Sequence, residues 1–409
     1  MPAPTLDITH VRSRFAAFSQ PELEGWAHFE NAGGSYACDP TIEALRHYYV
    51  HTKLQPGHPS PAAEAAQQAM DRSYQRWASA LGVGVDEVVL GPSTTANTSV
   101  LASAFGETLG AGDEVVVTQQ DHEANGGAIR RAAARAGATI REWTIDPETG
   151  LLDPALAADL ISERTRLVCM PHVSNLVGTE NDVTAVARLA RDVGAILQVD
   201  GVSAVPHGLP DLDALGCDIY LFSLYKVFSV HQGLMAVRGG LARSLPNQGH
   251  FFNDGDAHKR LNPAGPDHAQ VAASGAVLDY IDELAQHHGV DFDAVARLWQ
   301  DHETRQLGPV LAQLDASDRV RLLGPATTAG PGHRCPTVAF APLDRTPAEA
   351  AQVLRDHRIM AGFGHFYSWR TLDAMGIDPE SGVVRISFVH STSDDEIAQL
   401  QTAIEALVT

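Results

Sequence analysis

Two charged side chains close segments that are otherwise largely apolar, which is an unusual place for a charge. The segment 195–200 ends on Asp200, and the segment 218–226, whose last residues are Ser-Leu-Tyr-Lys, ends on Lys226. Ionised side chains are seldom buried without a partner, so the acid and the amine together are candidates for a reactive site. Taken singly, the aspartate could cap a turn and the lysine could reach out to solvent.

Lysine is scarce in this chain, and the scarcity favours a chemical role for Lys226. The sequence has 29 basic residues, of which only Lys53, Lys226 and Lys259 are lysines. Arginine stays protonated in proteins, whereas lysine can lose its proton and form a Schiff base. A lysine retained where arginine is the default cation therefore indicates chemistry that arginine cannot perform.

Two other loops carry polar side chains directly after apolar segments. His122 follows the segment Glu114–Thr118, and the hydroxyl-rich stretch 93–95 follows Val88–Leu90 and opens a predicted helix. Hydroxyls and backbone N–H groups at a helix start form a site that suits a phosphate. Helix capping alone would also explain these hydroxyls, and a lone histidine after a strand is more often structural than catalytic.

These four features, taken together, fit one cofactor, pyridoxal 5′-phosphate. Its chemistry needs a lysine that forms the Schiff base and a carboxylate that keeps the ring nitrogen protonated, so that the ring accepts electrons from the substrate α-carbon. It also needs a flat side chain that stacks on the ring, and hydroxyls with backbone amides that hold the phosphate. The sequence therefore predicts an enzyme that uses this cofactor.

Alternating strands and helices position these residues. Near-continuous apolar strands separated by amphipathic helices predict an α/β fold with a mainly parallel sheet of seven strands, covered by helices on both faces. In such sheets ligands lie beyond the carboxyl ends of the strands, where the candidate residues stand. The predicted strands are Val88–Leu90, Glu114–Thr118, Thr139–Ile145, Arg166–Val173, Ala195–Val202, Ile219–Ser223 and Gly233–Arg238. The predicted helices are 63–80, 95–108, 124–136, 153–162 and 182–193.

The pattern changes after about residue 285, which predicts a second domain. We expect a large cofactor-binding domain over residues 46–284 and a smaller α+β domain over residues 285–409, with residues 1–45 packing against the small domain. The small domain would hold the strands Thr337–Phe340 and Val383–Val389 and the helices 291–315, 347–356 and one from Ser393 onward.

Over roughly residues 28 to 400 the sequence resembles the class V aminotransferases, which are pyridoxal phosphate enzymes of fold type I, and within them the cysteine desulfurase-like proteins. The segments that carry the resemblance are 28–34 (HFENAGG), 93–95 (STT), 121–125 (DHEAN), 172–179 (HVSNLVGT), 198–203 (QVDGVS), 223–226 (SLYK) and 384–388 (VRISF). The order and the spacing of these segments agree with the family.

The resemblance implies roles for three sets of residues. The catalytic set is Lys226, His122 and Asp200. The cofactor-binding set is Thr94, Thr95, His122, Asn175, Asp200, Ser203, Ser223, Tyr225 and Lys226. The substrate-binding set is Asn31, Asn175, Arg385 and Tyr367. Lys226 would form the Schiff base and move the α-proton, and Arg385 would hold the substrate carboxylate as a two-pronged fork.

Departures from the family pattern bear on the reaction. Cysteine desulfurases carry a nucleophilic cysteine in the loop that here spans residues 362–369, and this loop has Tyr367 but no cysteine. Cys335 precedes a predicted strand and is interpreted as a core thiol. A persulfide acceptor is therefore missing. The family's Gly-Thr phosphate contact is replaced by the segment 265–266, Gly-Pro, which offers neither a hydroxyl nor an N–H on the second residue.

The favoured hypothesis is an enzyme that acts on a small α-amino acid through an external aldimine and a quinonoid, with C–S cleavage or another β-elimination as the outcome. Transamination and epimerisation share the same early steps and remain alternatives, as does a non-catalytic relative. The resemblance implies a homodimer.

Charge and composition indicate what the chain does not bind. A net charge of 29 − 50 = −21 argues against nucleic acid and membrane surfaces. Four cysteines without a CxxC pair argue against a disulfide framework or a zinc site, and the pair His47 and His51 lacks an HExxH pattern, so no metal is expected. The absence of a leader-like segment at Met1–Pro4 and of a long apolar run predicts a cytoplasmic protein.

Overall fold

The computed structural model describes residues 5–328 and 334–409, so Met1–Pro4, on which the expectation about a leader rests, lies outside the described residues. The strands are β1 (Ala27–His28), β2 (Val88–Gly91), β3 (Glu114–Thr118), β4 (Thr139–Trp143), β5 (Thr165–Pro171), β6 (Ile196–Asp200), β7 (Ile219–Ser223), β8 (Gly233–Val237), β9 (Val320–Leu322), β10 (Thr337–Pro342), β11 (Ile359–Met360), β12 (Gly362–Gly364) and β13 (Val383–Ser387).

The helices follow the same chain order. They are α1 (Ile8–Arg12), α2 (Asp39–His51), α3 (Pro61–Leu81), α4 (Thr94–Thr108), α5 (Glu123–Ala136), α6 (Pro154–Leu160), α7 (Val183–Asp192), α8 (Leu212–Leu215), α9 (Leu241–Ser244), α10 (Ala257–Arg260), α11 (His268–Ser274), α12 (Ala276–His288), α13 (Val295–Asp315), α14 (Pro347–Asp356), α15 (Trp369–Ala374) and α16 (Asp394–Val408). None of the helices in the described part of the chain has the length and apolarity that a bilayer crossing requires.

Seven strands form the central sheet in the order β2-β8-β7-β6-β5-β3-β4. The pairs β3–β4, β3–β5, β5–β6 and β6–β7 are parallel, and β8 runs antiparallel to its neighbours β2 and β7. The prediction of a mainly parallel seven-stranded sheet is therefore confirmed.

Both faces of this sheet are apolar because both are covered. In β7, Tyr220 and Phe222 pack into one core, and Ile219 and Leu221 pack into the core on the opposite face. Successive side chains of a strand point to opposite faces, so a strand that is buried on both faces reads as a continuous apolar run. This arrangement accounts for the runs of Val, Ile and Leu that predicted the strands.

Several strands end earlier than the apolar pattern predicted, and the difference at β5 and β6 matters for the site. Strand β5 ends at Pro171 and β6 ends at Asp200, whereas the pattern continued to Val173 and Val202. Both valines instead line a cavity at the strand ends. Apolar residues that line a cavity and apolar residues in a sheet give the same sequence signal, so the pattern could not separate them.

A second, antiparallel sheet lies in the C-terminal part of the chain, in the order β12-β13-β10-β9. Its core residues come from this sheet and from α13, α14 and α16. Strand β1 pairs in parallel with β11, and Phe29 joins this smaller core, whereas Val11 and Phe15 belong to the large one. The boundaries at residues 45 and 284 stay predictions.

Candidate active site

The carboxyl ends of β6 and β7 bring the acid and the amine to one edge of the sheet. Asp200 is the last residue of β6 and pairs with Leu221 of β7, and Ser223 is the last residue of β7. A 3-10 helix, Leu224–Lys226, then turns Lys226 back over this edge. The register of two parallel strands is thus what makes the two side chains neighbours.

One cavity at this edge contains the whole predicted cofactor-binding set. The residues of that set that line it are Thr94, Thr95, His122, Asn175, Asp200, Ser203, Ser223, Tyr225 and Lys226. The remaining lining residues are Ala124, Pro171, Val173 and Val202. Positions up to 132 residues apart in sequence therefore meet as the spacing of the strands predicted.

Burial shifts the pKa values of Lys226 and Asp200 in opposite directions, and each shift favours the neutral form. Burial lowers the pKa of Lys226, and the positive charge of Arg385 lowers it further, against the opposing effect of Asp200. Burial raises the pKa of Asp200, although the Val202 N–H donates to its Oδ1 at 2.9 Å. The lysine therefore loses its proton more easily than an ordinary lysine, and the carboxylate is short of positive partners.

One hydroxyl at the start of α4 caps the helix, and another belongs to the cavity. The Ser93 Oγ accepts a hydrogen bond from the Ala96 N–H at 3.1 Å, so Ser93 caps the helix. Thr94 is not used for capping, and its Oγ1 lies 2.7 Å from the Ser223 Oγ, with both side chains buried. The first backbone N–H groups of a helix have no partner within it. Two hydroxyls and these N–H groups thus face the cavity together.

Gly233 allows the start of α4 to lie this close to the sheet. A Cβ atom on Gly233 would lie 2.4 Å from the Thr94 backbone N and 2.3 Å from the Ser93 backbone C, a separation that real Cβ atoms do not adopt. Only glycine therefore lets the helix terminus approach β8 at the edge where Lys226 emerges.

His122 is the N-cap residue of α5, and its hydrogen bond sets the state of its ring. The Nδ1 atom accepts from the Ala124 N–H at 3.1 Å, so the neutral ring carries its proton on Nε2. Burial lowers the pKa of His122 to about 3, with further lowering by the positive charges of Lys226 and Arg385. The side chain is therefore a flat, uncharged ring at neutral pH, as stacking on a cofactor requires.

Arg385 is buried and has donors to spare. Its Nη1 donates to the Asn175 backbone O at 3.0 Å, and its guanidinium carbon lies 4.0 Å from the centre of the Phe366 ring. The Nε atom is buried and has no hydrogen-bond partner among the described residues. Burial lowers the pKa of Arg385 to about 10. A buried cation with an unpartnered donor suits an anionic ligand such as a carboxylate.

Asn175 lies in the cavity wall, but its amide is largely engaged by a neighbouring loop. Its Nδ2 donates to the Phe366 backbone O at 3.0 Å, and its Oδ1 accepts from the Ser368 Oγ at 2.8 Å. One N–H of this amide is left for a ligand. The sequence did not indicate that Asn175 also holds the neighbouring loop.

The other two predicted substrate-binding residues, like Arg385, are not among the residues that line the cavity. Asn31 is buried, its Oδ1 has no partner in the described part of the chain, and its backbone N–H donates to the Ser387 O at 3.3 Å, two residues beyond Arg385. The Tyr367 ring lies 5.0 Å from the His122 ring and is 64% exposed.

Tyr225 and Ser203 complete the wall of the cavity. The Tyr225 ring stacks on His231 at 4.6 Å and 9°, and its backbone O accepts from the Ser35 Oγ at 2.8 Å. Ser203 is buried.

A buried polar network beneath the cavity was missed by sequence reasoning. Asn125 Nδ2 donates to Asp121 Oδ1 at 2.8 Å, and Gln198 Nε2 donates to Asn125 Oδ1 at 2.8 Å. Burial raises the pKa of Asp121 to about 7. The network ties the loop that holds His122 to strand β6, two residues before its terminal acid. The spacing of Asp121 and Asn125, one helical turn, was the available signal.

The thiols of this chain do not face the site. All four cysteines are buried, namely Cys38, Cys169, Cys217 and Cys335. Burial raises the pKa of each thiol, well above its ordinary value for Cys169 and Cys335. Inert, buried thiols are not nucleophiles at neutral pH.

The described residues contain no cluster of His, Cys, Asp or Glu that could hold a metal ion. The rings of His47 and His51 lie 4.6 Å apart on α2. Two imidazoles without a third ligand do not make up a metal site.

The donor set fits pyridoxal 5′-phosphate on structural grounds. The paired hydroxyls of Thr94 and Ser223 and the helix terminus suit the phosphate. The underpartnered Asp200 suits a protonated ring nitrogen, and the flat neutral His122 suits the ring face. Lys226 is a buried amine that loses its proton readily. Each group lies in the same cavity.

Comparisons with known proteins agree with this geometry. The family model "Aminotransferase class-V" matches residues 27–400. The chain is 31% identical over 418 residues to the aminotransferase-like protein FGM3 of Gibberella zeae, with 100% of both chains covered. It is 28% identical over 416 residues to the cysteine desulfurase-like protein ustD of Aspergillus flavus, covering 99% of this chain and 91% of that protein.

Among solved structures, the apo cysteine desulfurase of Thermococcus onnurineus NA1 superposes with a TM-score of 0.86 at 23% identity, covering 100% of this chain and 99% of that chain. This likeness confirms the predicted fold. The match to the family model confirms the predicted family and, with the cavity described above, the predicted cofactor. The chain therefore belongs to the class V aminotransferase family and is a pyridoxal 5′-phosphate-dependent enzyme.

Proposed function

We propose that this enzyme is a lyase that removes a substituent from the β-carbon of a small α-amino acid, with a C–S bond as the favoured target. The observation that carries the proposal is the combination of a complete cofactor cavity with the absence of a reactive thiol at its mouth. Relatives named cysteine desulfurase-like support the substrate class.

The bound cofactor supplies an electron-accepting ring that stabilises negative charge at the substrate α-carbon. The protein residues hold and orient what this chemistry needs. Asp200 would face the ring nitrogen and keep it protonated, because a positive partner there would offset the burial that raises the pKa of its carboxyl. Thr94 and Ser223 would hold the phosphate, and the flat ring of His122 would pack on the cofactor ring.

Arg385 sets the orientation of the substrate. Its unpartnered Nε and the neighbouring Nη donors bind the substrate carboxylate as a fork, while its Nη1 stays bound to the Asn175 backbone O. A carboxylate fixed at this point and an amino group at the cofactor hold the α-carbon between them. Asn31 has an unpartnered Oδ1, an acceptor that suits a donor such as the substrate amino group.

Lys226 takes the proton from the α-carbon. A lysine with an ordinary pKa would be protonated at neutral pH and unable to accept a proton. Burial and the nearby Arg385 lower the pKa of Lys226, so its amine is available as a base. Asp200 limits this effect because its negative charge acts in the opposite direction.

The sulfur of a cysteine substrate leaves as sulfide and is not passed to this chain. Persulfide formation needs a thiolate at the site. The four thiols are buried and their pKa values are raised. The loop that holds the nucleophile in desulfurases here has Tyr367, whose hydroxyl cannot accept sulfur as a thiolate does.

Product analysis tests the proposal. We would incubate the purified holoenzyme with L-cysteine and with β-chloro-L-alanine, with and without 2-oxoglutarate, and measure pyruvate, ammonia and sulfide. β-Elimination yields pyruvate and ammonia without a 2-oxo acid. Product that forms only with 2-oxoglutarate would identify an aminotransferase, and loss of optical activity without pyruvate would identify an epimerase; either result overturns the proposal.

We also propose a cytoplasmic homodimer. The exposed pair Phe251 and Phe252 supports a partner subunit, because large apolar side chains that stay exposed mark interaction surfaces. Sedimentation of the holoenzyme tests the assembly, with a monomeric holoenzyme as the contrary result.

A further inference from the structure

Two adjacent residues in the loop at the mouth of the cavity have left-handed backbone conformations. Phe366 has φ 48° and Tyr367 has φ 58°, and neither is glycine. Side chains with a Cβ disfavour this region, so such residues persist only when the surroundings hold them there. Two in succession beside the site indicate that the backbone at Tyr367 is held in place by its surroundings.

Hydrogen bonds within the loop and to residues of the region around the large sheet hold this loop. The Glu123 N–H donates to the Tyr367 O at 2.8 Å, and the Tyr367 N–H donates to the His365 Nδ1 at 3.0 Å. The bonds of Asn175 to Phe366 and Ser368 secure the loop on the other side. Glu123 follows His122 in the chain and Asn175 lines the cavity, so both of these partners connect the loop to the cavity wall.

Within this loop, the Tyr367 phenol lies at the cavity and in solvent at once. Its ring lies 5.0 Å from the His122 ring. Burial raises the pKa of Tyr225, and charge on Tyr367 raises it further, so the two phenols are within electrostatic reach across the cavity. Yet the Tyr367 side chain is 64% exposed. A proton lost from it can be replaced directly from water.

The other proton donors at the site are less suited to a leaving group. His122 is neutral, because its pKa is lowered to about 3, and its ring is buried. Lys226 is occupied with the α-proton. The thiols of this chain are buried elsewhere. The Tyr367 phenol is a proton donor that is exposed to solvent and lies beside the ring of His122, which lines the cavity.

We propose that Tyr367 is the general acid that protonates the leaving group, an inference that rests on the proposed lyase function. Lys226 removes the α-proton, the electron pair of that C–H bond forms the Cα=Cβ double bond, and the Cβ–S bond breaks with its electrons on sulfur. The Tyr367 O–H proton passes to that sulfur, which leaves as a neutral thiol. The phenolate then regains a proton from water.

The test compares two substrates whose leaving groups differ in their need for a proton. Chloride leaves β-chloro-L-alanine without protonation, whereas methanethiolate from S-methyl-L-cysteine is more basic and benefits from an acid. In the Tyr367→Phe holoenzyme we expect the kcat for S-methyl-L-cysteine to fall by about 100-fold or more, as typical of a lost general acid. The kcat for β-chloro-L-alanine is expected to stay the same.

Matched controls separate this role from a structural one. Tyr49→Phe removes the hydroxyl of another exposed tyrosine, on α2, and is expected to change neither rate. The visible spectrum of the bound cofactor checks that the Tyr367→Phe site is intact. Equal losses with both substrates, or no loss with either, overturn the role of Tyr367 and leave the lyase function standing. A wild-type enzyme that eliminates chloride but never the thiol has the same two consequences: it overturns the role of Tyr367 and leaves the lyase function standing. A wild-type enzyme that eliminates neither group removes both proposals.

Discussion

The two halves of the candidate site are assembled in different ways. The half that fits the cofactor comes from the ends of strands in one sheet and the helices that follow them, and the bond between Thr94 and Ser223 joins the start of α4 to the end of β7. The half that fits the substrate comes from the smaller sheet and its loops, and Arg385 reaches the cavity through a bond to Asn175, 210 residues away in sequence.

The difference teaches which part of the chemistry the fold fixes. Strand register and the start of α4 place the acid, the amine and the hydroxyls together, so this half depends on the large sheet and its helices. The substrate half requires the smaller sheet to pack against the large one, and its loop at residues 365–368 departs from the desulfurase pattern. We therefore expect changes in the substrate half to alter the outcome of the reaction, while the cofactor half stays the same.

The largest effect is expected from removing the amine of the cofactor half. Lys226→Ala should abolish covalent attachment of the cofactor and all turnover, because no other amine lies in the cavity lining that the structure describes. Borohydride reduction followed by mass spectrometry measures the attachment. Lys259→Ala is the matched control, since that lysine is exposed and paired with Asp256 at 2.8 Å; cofactor bound covalently to a Lys226→Ala protein would contradict the assignment.

Next in size is the loss of the fork in the substrate half. Arg385→Gln removes charge-assisted hydrogen bonds worth about 1.5–3 kcal/mol, so KM for the amino acid should rise by about 10- to 100-fold. Cofactor absorption should stay unchanged. Steady-state kinetics checks the first point, and Arg355→Gln on the exposed face of α14 is the control. A normal KM would show that the carboxylate binds elsewhere.

A smaller effect is expected at the phosphate end. Thr94→Val keeps the shape but deletes the hydroxyl next to Ser223, which costs about 0.5–1.5 kcal/mol and should weaken cofactor affinity by about 2- to 12-fold. Equilibrium titration of apoenzyme with cofactor measures this. Thr108→Val, at the far end of the same helix, serves as the control. An unchanged affinity would place the phosphate away from α4.

The smallest effect links the two halves through charge. Arg385 lowers the pKa of Lys226, so Arg385→Gln should raise that pKa and reduce the fraction of free amine at a given pH. The pH at which apoenzyme takes up cofactor should therefore shift upward. Stopped-flow absorbance over a pH series follows the shift, and a profile identical to that of wild type would mean that the two groups are not coupled.

The sequence predicted the cofactor half well because its signals are local. Asp200 and Lys226 each end an apolar run, and Ser93 to Thr95 open a helix, so strand–helix alternation was enough to bring them together. The strands β3 and β7 have the predicted bounds. Local signals of this kind survive because each strand is buried on both faces.

For the substrate half, the resemblance to the family identified the residues, but the sequence did not predict their contacts. Nothing in the sequence indicated that Asn175 binds the loop at residues 366–368, since that contact joins segments 191 to 193 residues apart. The left-handed conformations of Phe366 and Tyr367 were equally hidden, because neither residue type signals them. Long-range docking, unlike strand periodicity, leaves no local pattern.

The antiparallel direction of β8 has a mechanical consequence for the reactive amine. Ser223 at the end of β7 pairs with Gly233 at the start of β8, so the stretch 224–232 is a short closed hairpin loop rather than a long crossover. The two ends of this loop belong to adjacent, hydrogen-bonded strands. The backbone around Lys226 is therefore held in place. Movement of the Lys226 Nζ atom between bond partners must come from rotation about the bonds of the four methylene groups of its side chain.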